Sequence, residues 1–328
     1  MVLDDLEKEI SAVNKFTFEA LALKIFQYQS QNNEVYKTYL QLLKIDTTKI
    51  DKVFKIPFLP ISFFKNFNIQ SSTLAPEVVF ESSSTTGLGV SKHAVPKLRL
   101  YEKSCADSFN FFFQDYTKYC HLALLPSYLE RTTSSLVYQV NHFIKSSQYT
   151  QSNFYLYNHH DLYNQLIENE AQKIPTVLWG VSFALLDFVD KYQMKLEYTH
   201  VIETGGMKGR RTELTRQELH QILQSRLGVS SIAGEYGMTE LMSQSYAMSV
   251  GLYQSPPWCN VLAREINDPL GQPIFNRNGV LNVIDLYNLY SCSFIATSDL
   301  GKVSEDGSFQ VLGRVDYSDT RGCNLLLL

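Results

Sequence analysis

A row of five hydroxyl side chains, followed by two glycines and a lysine, is the first segment whose residue types could do chemistry. It reads ESSSTTGLGVSK over residues 81–92 and follows the apolar residues 78–80. One interpretation is a surface turn, because Ser, Thr and Gly bond their own backbone and tolerate unusual φ values. The other is a phosphate cradle, in which glycines let amide N–H groups approach an anion, hydroxyls donate to its oxygens and a lysine supplies countercharge. This segment alone leaves both interpretations open.

A second group of polar side chains is GEYGMTE at residues 234–240. It follows a predicted strand at residues 229–233, and open α/β sheets bind ligands at the carboxyl ends of their strands. Thr239 could donate to a phosphate, and Glu240 could bind Mg²⁺, a hard cation that prefers carboxylate and phosphate oxygens. The alternative is a strand-to-helix turn in which the Thr-Glu pair begins the helix.

Adjacent glycines make a third candidate in ETGGMKG, at residues 203–209. Without a β-carbon, the main chain at Gly205 and Gly206 could lie against a flat ring. The alternative is a flexible turn.

Two later motifs supply a carboxylate and a guanidinium. Asp299, in TSDLG at residues 297–301, could accept hydrogen bonds from two vicinal hydroxyls, as ribose-binding carboxylates do. Arg314, in GRVD at residues 313–316, could bond ribose or phosphate. The alternatives are an Asx turn for the aspartate and a surface salt bridge for the arginine.

The elements that must position these motifs alternate along the chain. Apolar spacing predicts helices, one of them starting with a capping box, at residues 3–13, 34–43, 101–116, 182–192 and from Thr215–Glu218 onward. Short apolar runs predict strands at residues 121–125, 177–179, 200–202 and 229–233. PFLP at residues 57–60 is read as a connecting stretch. Such alternation predicts an α/β architecture, drawn as one domain over residues 1–328 with a β-rich part from about residue 256.

Composition narrows the class of protein. The net charge of −4 predicts no basic face and argues against nucleic acid as a partner. The sequence opens with MVLDDLEKEI, which lacks the apolar core of a secretory signal, and no run reaches the 18 apolar residues of a membrane span. Five scattered cysteines with no CxxC pair argue against a disulfide framework or zinc site and fit a reducing cytosol.

Taken in order, the five motifs resemble those of the adenylate-forming superfamily of acyl-CoA synthetases and related ligases. SSSTTGLGVSK takes the place of the phosphate loop, ETGGMKG of the adenine loop, EYGMTE of the Tyr-Gly-x-Thr-Glu signature, TSDLG of the Thr-x-Asp and GRVD of the hinge region. The resemblance covers roughly residues 75–323, and EYGMTE is its most specific element. It implies the large N-terminal domain of that fold, with layered α/β sheets and a β-rich distal part.

The resemblance implies ATP and Mg²⁺ as cofactors and assigns residues to the phosphates. Lys92 would supply countercharge, Thr239 would touch the α-phosphate, and Glu240 would hold the metal. The cradle for the β- and γ-phosphates would consist of Ser82, Ser83, Ser84, Thr85, Thr86 and Gly87.

The resemblance also assigns the nucleoside. The two glycines would pack on adenine, the tyrosine would stack near adenine or face the acyl pocket, and the aspartate would accept from ribose hydroxyls with help from the arginine. These residues are Gly205, Gly206, Tyr236, Asp299 and Arg314, and Gly237 beside the tyrosine is also assigned to the nucleotide.

Two departures from the family pattern matter. Ser84 stands where the phosphate loop usually has glycine, and the sequence ends at Leu328, just after the hinge region. The small C-terminal domain, with the lysine that stabilises adenylation, is therefore expected to be absent. Another group must then balance the α-phosphate charge, and His121, Lys208 and Arg210 are candidates that no motif supports.

One branch of the superfamily with a short C-terminal end, the LuxE-type acyl-protein synthetases, is similar here. Those enzymes form an acyl-adenylate and move the acyl group onto a cysteine near their own C-terminus. Cys323, in RGC at residues 321–323, matches in place, and HVIETGGMKGRR at residues 200–211 also looks typical of this branch. The alternative is an ordinary apolar cysteine before the final four leucines.

The expected function is therefore ATP-dependent activation of a fatty or aryl carboxylic acid to acyl-AMP, followed by transfer to a thiol. A reductase of the acyl-CoA type or a carrier protein is the partner that the resemblance implies. Two alternatives stay open. One is an acyl- or aryl-CoA ligase that needs a separate C-terminal domain, and the other is a catalytically silent subunit that binds nucleotide or acyl-AMP.

Overall fold

The computed structural model describes residues 3–82, 89–125, 133–205, 214–249 and 251–315. Their contacts divide them between two compact units. The discontinuous unit draws on Met1–Thr73 and Pro257–Leu328, and the central unit on Leu74–Pro256. The chain enters the second part of the discontinuous unit at residue 257, beside the change to β-rich sequence near residue 256.

Helices occupy much of the first two thirds of the described chain. They are α1 (Leu3–Ser11), α2 (Phe18–Asn32), α3 (Glu34–Leu42), α4 (Phe63–Asn66), α5 (Leu98–Phe113), α6 (Ser135–Ser146), α7 (His159–Ala171), α8 (Ser182–Val189) and α9 (Arg216–Leu227). No helix among the described residues combines the length and the apolar character that a membrane crossing needs.

Strands are short except near the C-terminal side. They are β1 (Leu59–Pro60), β2 (Val78–Glu81), β3 (Lys92–Val95), β4 (Cys120–Leu124), β5 (Asn153–Tyr155), β6 (Thr176–Gly180), β7 (Thr199–Glu203), β8 (Ala233–Tyr236), β9 (Ser245–Ala247), β10 (Cys259–Arg264), β11 (Asn278–Asp285), β12 (Phe294–Val303) and β13 (Phe309–Arg314).

The central unit is built on a sheet in the order β5-β4-β6-β7-β8-β9. The first five strands are parallel, and β9 runs antiparallel to β8. Every residue of β4 and β6 is buried, as expected of parallel strands covered on both faces. Since parallel strands end at the same edge, the ends of β6, β7 and β8 at Gly180, Glu203 and Tyr236 share one edge of the sheet. A separate antiparallel hairpin, β2–β3, precedes this sheet in the chain.

The discontinuous unit contains the β-rich part. Its sheet has the order β1-β12-β11-β10, and β13 pairs with the second half of β12. Within this unit, Gln29 connects helix α2 to the C-terminal part of the chain, because its Nε2 donates to the carbonyls of Asn288 and Leu289. Parallel and antiparallel sheets with helices together form the predicted mixed α/β fold.

Two elements of the structure differ from the expectation. The strand expected at residues 229–233 is β8, which starts only at Ala233, because pairing with β9 at Gly234 and Tyr236 places the strand inside the motif. The expected connecting stretch at 57–60 includes β1, which pairs in parallel with β12 at Ile295 and Ala296.

Candidate active site

The two strands of the hairpin β2–β3 stand on either side of the hydroxyl-rich segment in the sequence. Ser91 N donates to Ser82 Oγ at 3.0 Å, and Ser82 N donates to the Ser91 carbonyl at 3.0 Å. The first hydroxyl of the segment therefore closes the base of the hairpin, and its own O–H remains a donor. The other cradle residues, Ser83, Ser84, Thr85, Thr86 and Gly87, lie outside the described residues.

Lys92 begins β3 directly opposite Glu81, the last residue of β2. Its Nζ lies 3.6 Å from Glu81 Oε1, and 63% of the lysine side chain is exposed. An exposed pair of this kind contributes at most about 1 kcal/mol to stability. The lysine is thus held at the hairpin base by a weak ion pair, which leaves its charge available to an incoming anion.

His93 links the hairpin to the Tyr-Gly-x-Thr-Glu segment. The ring is 1% exposed, and Nδ1 lies 2.8 Å from the Thr239 carbonyl oxygen. Because a carbonyl only accepts, Nδ1 carries the proton and donates it. Burial lowers the pKa of His93 to about 4, against the opposing effect of this hydrogen bond. A neutral imidazole therefore connects β3 to the signature segment, although His93 and Thr239 lie 146 positions apart in the chain.

The segment after β8 presents the signature residues at the carboxyl edge of the sheet. Thr239 is half-buried and Glu240 is 5% exposed. Leu241 N donates to the Met238 carbonyl at 3.1 Å, which closes a turn around them. No group of three metal-ligating side chains occurs among the described residues, so a metal at Glu240 would depend on other ligands, such as phosphate oxygens.

Tyr236 and Gly237 lie on either side of the point where β8 ends. The Tyr236 ring is 9% exposed, and its centroid lies 5.9 Å from that of Tyr253 with the ring planes inclined at 59°. At Gly237 a β-carbon would meet Gln244 Cγ at 3.4 Å, which is an ordinary contact. The tyrosine ring is fixed by packing within the central unit, whereas the glycine is not required by space.

Gly205 follows the end of β7 and has a φ of +81° with no atom within 4 Å of the position of an added β-carbon. The glycine is needed here for its backbone conformation, since side chains rarely adopt this region. Thr204 N donates to the Gly180 carbonyl at 3.0 Å and ties the loop to β6. Gly206 lies outside the described residues.

Glu203, the last residue of β7, is buried at 2% exposure. Ser182 Oγ donates to Glu203 Oε1, and His220 Nε2 lies 3.9 Å from Glu203 Oε2. Burial acts to raise the pKa of Glu203, but nearby His220, the Ser182 hydrogen bond and the charge of Arg216 outweigh it and leave the pKa lowered. Within the described part of the chain, neither ring nitrogen of His220 has a hydrogen-bond partner.

Asp299 and Arg314 face each other across β12 and β13 in the discontinuous unit. Arg314 Nε donates to Asp299 Oδ1 at 3.2 Å, with the aspartate side chain 9% and the arginine side chain 82% exposed. Asp299 N donates to Thr297 Oγ1 at 3.0 Å, and Thr297 Oγ1 donates to the Leu281 carbonyl at 2.7 Å. Two strands and the threonine thus fix a carboxylate whose cationic partner extends into water.

His121 does not suit the charge-balancing role considered for it. The ring is fully buried in β4, Nε2 bonds the Tyr116 carbonyl at 2.8 Å, and Nδ1 accepts from Trp179 Nε1 at 3.1 Å. Burial lowers the pKa of His121 to about 4. A neutral histidine with both nitrogens engaged belongs to the core. Lys208, Arg210 and the proposed acceptor Cys323 lie outside the described residues.

Several residues of this edge were not predicted as functional from the sequence. His93, His220 and Ser182 belong to no motif, while Glu203 and Glu235 stand inside quoted motifs but received no role. Only the place of Glu203 and Glu235 inside a motif could have drawn attention to these two residues.

The fold matches that of the large N-terminal domain of adenylate-forming enzymes. ATP-bound MatB from Rhodopseudomonas palustris superposes with a TM-score of 0.55 at 15% identity over 72% of this chain and 47% of its own. MenE from Bacillus subtilis, an O-succinylbenzoate coenzyme A synthetase in complex with AMP, gives 0.52 at 17% identity over 74% and 50%.

A third similar structure, 2-hydroxyisobutyryl-CoA ligase in the postadenylation state with R3-HIB-AMP, gives a TM-score of 0.64 at 8% identity over 92% of this chain and 69% of its own. The chain spans about half the length of MatB and MenE. No protein-family model and no curated protein matches the sequence. At these identities the likeness concerns the fold.

Proposed function

We propose that the chain activates a carboxylic acid with ATP to form an acyl-adenylate and pyrophosphate. The observation that carries this proposal is the hydrogen bond from His93 to the Thr239 carbonyl. It joins β3, the strand that follows the hydroxyl-rich segment, to the signature segment, and so supports a shared role of the two motifs in phosphate binding. The similar solved structures, two of which hold ATP or AMP, support this reading of the fold.

A carboxylate is a poor electrophile because its charge is delocalised, and conversion to a mixed anhydride with AMP makes it reactive. The enzyme must hold two anions together, so positioning and charge neutralisation should supply most of the rate. We assign the hydroxyl hairpin and Lys92 to the β- and γ-phosphates and Thr239 to the α-phosphate. Tyr236, Gly237 and Gly205 are assigned to the adenine side.

Mg²⁺ fits the chemistry of Glu240, a largely buried carboxylate on the turn that also carries Thr239. A bound Mg²⁺ would neutralise phosphate charge, and its remaining ligands would be phosphate oxygens and water. In the discontinuous unit, Asp299 would accept from the ribose hydroxyls and Arg314 would assist.

The transfer step that we propose uses Cys323. Its thiolate would attack the acyl carbonyl, the bond from that carbon to the AMP oxygen would break, and a thioester and AMP would result. A free cysteine has a pKa of about 8.5, and only its thiolate is nucleophilic. Arg321, two positions away, could favour the thiolate. A fatty or aryl acid would be the substrate, and a reductase or a carrier protein would receive the acyl group.

A CoA ligase that works with a separate C-terminal domain is the second candidate, and it is favoured by the two CoA ligases among the similar structures. CoA-dependent thioester formation by the isolated chain would support it. A silent nucleotide-binding subunit would bind ATP without turnover.

Asp299→Ala tests the proposed adenylation. Loss of hydrogen bonds to a charged acceptor, each worth about 1.5–3 kcal/mol, should lower acid-dependent pyrophosphate exchange by about 100-fold or more. The fold should persist, because Arg314 is already exposed and stays hydrated without its partner.

Asp51→Ala is the matched control, since Asp51 pairs with Lys55 at 2.7 Å on the surface of the same unit. It should leave exchange unchanged. Exchange at the wild-type rate in Asp299→Ala, with every acid that supports exchange in the wild type, would show that the ribose assignment is wrong.

A further inference from the structure

Glu235 is a carboxylate at the sheet edge that the proposed chemistry does not use. It lies on β8 directly before Tyr236, opposite Tyr246 on β9. Tyr246 OH donates to Glu235 Oε2 at 2.7 Å, and Gln139 Nε2 donates to the same oxygen at 2.8 Å. Both hydrogen bonds therefore fall on one carboxylate oxygen.

The other oxygen, Oε1, accepts no hydrogen bond from any described residue, and Glu235 as a whole is only half-buried. Oε1 is also not among the buried polar atoms that lack a partner. Strand geometry and two donors thus fix the carboxylate while one oxygen stays accessible. This is the arrangement of an acceptor that is held ready for a donor from outside the protein.

No lysine, arginine or histidine of the described chain forms an ion pair with Glu235. Desolvation raises the pKa of Glu235 to about 7, although the Tyr246 and Gln139 hydrogen bonds oppose this. A carboxylate removed from water without a cation is costly, and a ligand that supplies a donor or positive charge relieves that cost. A ligand that carries such a group would therefore favour the ionised form of Glu235.

Tyr246, one of the two donors, is held in place by aromatic rings. The Tyr246 ring packs on Phe112 and Phe113, with centroid distances of 5.3 and 5.2 Å. Tyr246 and Gln139 are themselves buried. A polar group of a ligand would therefore meet an acceptor that is held by two buried partners, and a site built to hydrogen-bond such a group rejects analogues that lack it.

We propose that Glu235 is a specificity-determining residue that accepts a hydrogen bond from a hydroxyl or ammonium group on the acid substrate. The inference rests on the proposed adenylation and narrows its substrate class from any fatty or aryl acid to acids that carry such a donor. Glu235 precedes Thr239 by four positions, so their α-carbons are at most about 14 Å apart. The donor on the acid must lie within a comparable distance of the carboxylate that meets the α-phosphate.

Matched pairs of acids test this proposal. Acid-dependent pyrophosphate exchange is measured for butyrate, benzoate and dodecanoate, each against its own terminal or para hydroxy and amino derivative. The wild type should favour the donor-bearing member of at least one pair by about tenfold or more in kcat/KM. For an amino derivative this preference should grow as the pH rises through about 7, because Glu235 ionises there.

Two variants separate recognition from structure. Glu235→Leu should bring the ratio within each preferred pair close to one, mainly through KM for the donor-bearing acid. Glu235→Gln keeps an acceptor oxygen and should retain preference for the hydroxy acid while losing that for the amino acid. Glu168→Leu, a change at an exposed glutamate on α7 of the same unit, should leave all ratios unchanged.

The outcomes distinguish this inference from the proposed function. Exchange with none of the acids would overturn both. Exchange that is equally fast for both members of every pair, or a preference that survives in Glu235→Leu, would overturn the role of Glu235 and leave adenylation standing.

Discussion

His93 shows how a single buried residue connects binding chemistry to stability. Its ring is held neutral by burial, and its hydrogen bond to the Thr239 carbonyl fixes the main chain there. An unfolded chain would protonate this histidine near pH 6.5, whereas the folded protein resists protonation until about pH 4. The fold should therefore be fully stabilised above pH 6.5 and lose stability as the pH falls toward 4.

We predict that His93→Gln weakens this pH dependence. The pKa difference corresponds to a loss of about 2 kcal/mol between pH 7 and 4.5, because each pKa unit is worth about 1.4 kcal/mol. Glutamine can still donate to the Thr239 carbonyl but cannot take up a proton. The free energy of unfolding, measured in urea at both pH values, should fall about 2 kcal/mol less in the variant than in the wild type.

His160→Gln serves as the control, because His160 is exposed on α7. Its pH dependence should match that of the wild type, including the share that buried His121 contributes. If His93→Gln lost as much stability as the wild type on acidification, His93 would be protonated in the folded state and the argument from burial would be wrong.

The sequence predicted individual functional residues only where they stand inside a motif. The pairing of Asp299 with Arg314 follows from strand register, and TSDLG and GRVD marked both residues in advance. The bond between His93 and Thr239 could not be read, because its partners lie 146 positions apart and a histidine on an apolar strand has no distinctive pattern. The same is true of His220 under Glu203.

At the scale of elements, α9 illustrates a local signal that fully specifies a helix start. Thr215 Oγ1 accepts from Glu218 N at 3.2 Å, and Glu218 Oε2 accepts from Thr215 N at 2.8 Å, which confirms the predicted capping box. The helix ends at Gly228, where φ is +64°.

We predict that Thr215→Ala lowers the free energy of unfolding by about 1 kcal/mol, because one helix-end amide loses its acceptor. Glu218→Ala should have a similar effect, whereas Glu218→Gln should cost less since glutamine also completes a capping box. Denaturant unfolding monitored by circular dichroism provides the measurement. Thr73→Ala, at an exposed position, should change stability by less than about 0.5 kcal/mol. Equal losses in the two threonine variants would contradict the cap.

Strand positions were less predictable than helix starts because pairing decides them. An apolar run suggested residues 229–233, yet β8 lies at Ala233–Tyr236, where it can pair with both β7 and β9. In the same way β1 contains a proline and only two residues, and it exists because Ile61 N reaches the Ala296 carbonyl at 2.8 Å beside it. Neither arrangement has a local signal that a single sequence displays.

At the scale of the whole molecule, motif order predicted the fold class, whereas the division into two compact units comes from long-range contacts. The order of five short motifs resembles a superfamily whose large domain this fold shares. That the first 73 residues join the segment from residue 257 onward depends on contacts across some two hundred positions, such as β1 with β12. Motifs indicate which chemistry a chain can perform. Pairing between strands so far apart in the sequence produces no periodic pattern of residues from which it could be predicted.

The distribution of cysteines over the molecule bears directly on the proposed acyl transfer. The four described thiols, Cys105, Cys120, Cys259 and Cys292, are all buried. Burial raises the pKa of Cys120, and it raises that of Cys292 to about 12. None of these groups is therefore a suitable nucleophile in the folded protein, which leaves Cys323 as the candidate acceptor.

We predict that native alkylation with iodoacetamide modifies Cys323 alone, and that all five cysteines react in urea. Prior incubation with ATP, Mg²⁺ and an acid that supports exchange should protect Cys323, because its thiol would then be acylated. The intact mass should rise by one acyl group, and hydroxylamine should remove that group.

Cys323→Ser should abolish loading but keep exchange, whereas the buried Cys259→Ser should load normally. Loading that persists in Cys323→Ser, or native labelling of a buried thiol, would rule out this acceptor, and exchange without any loading would favour an external thiol such as CoA.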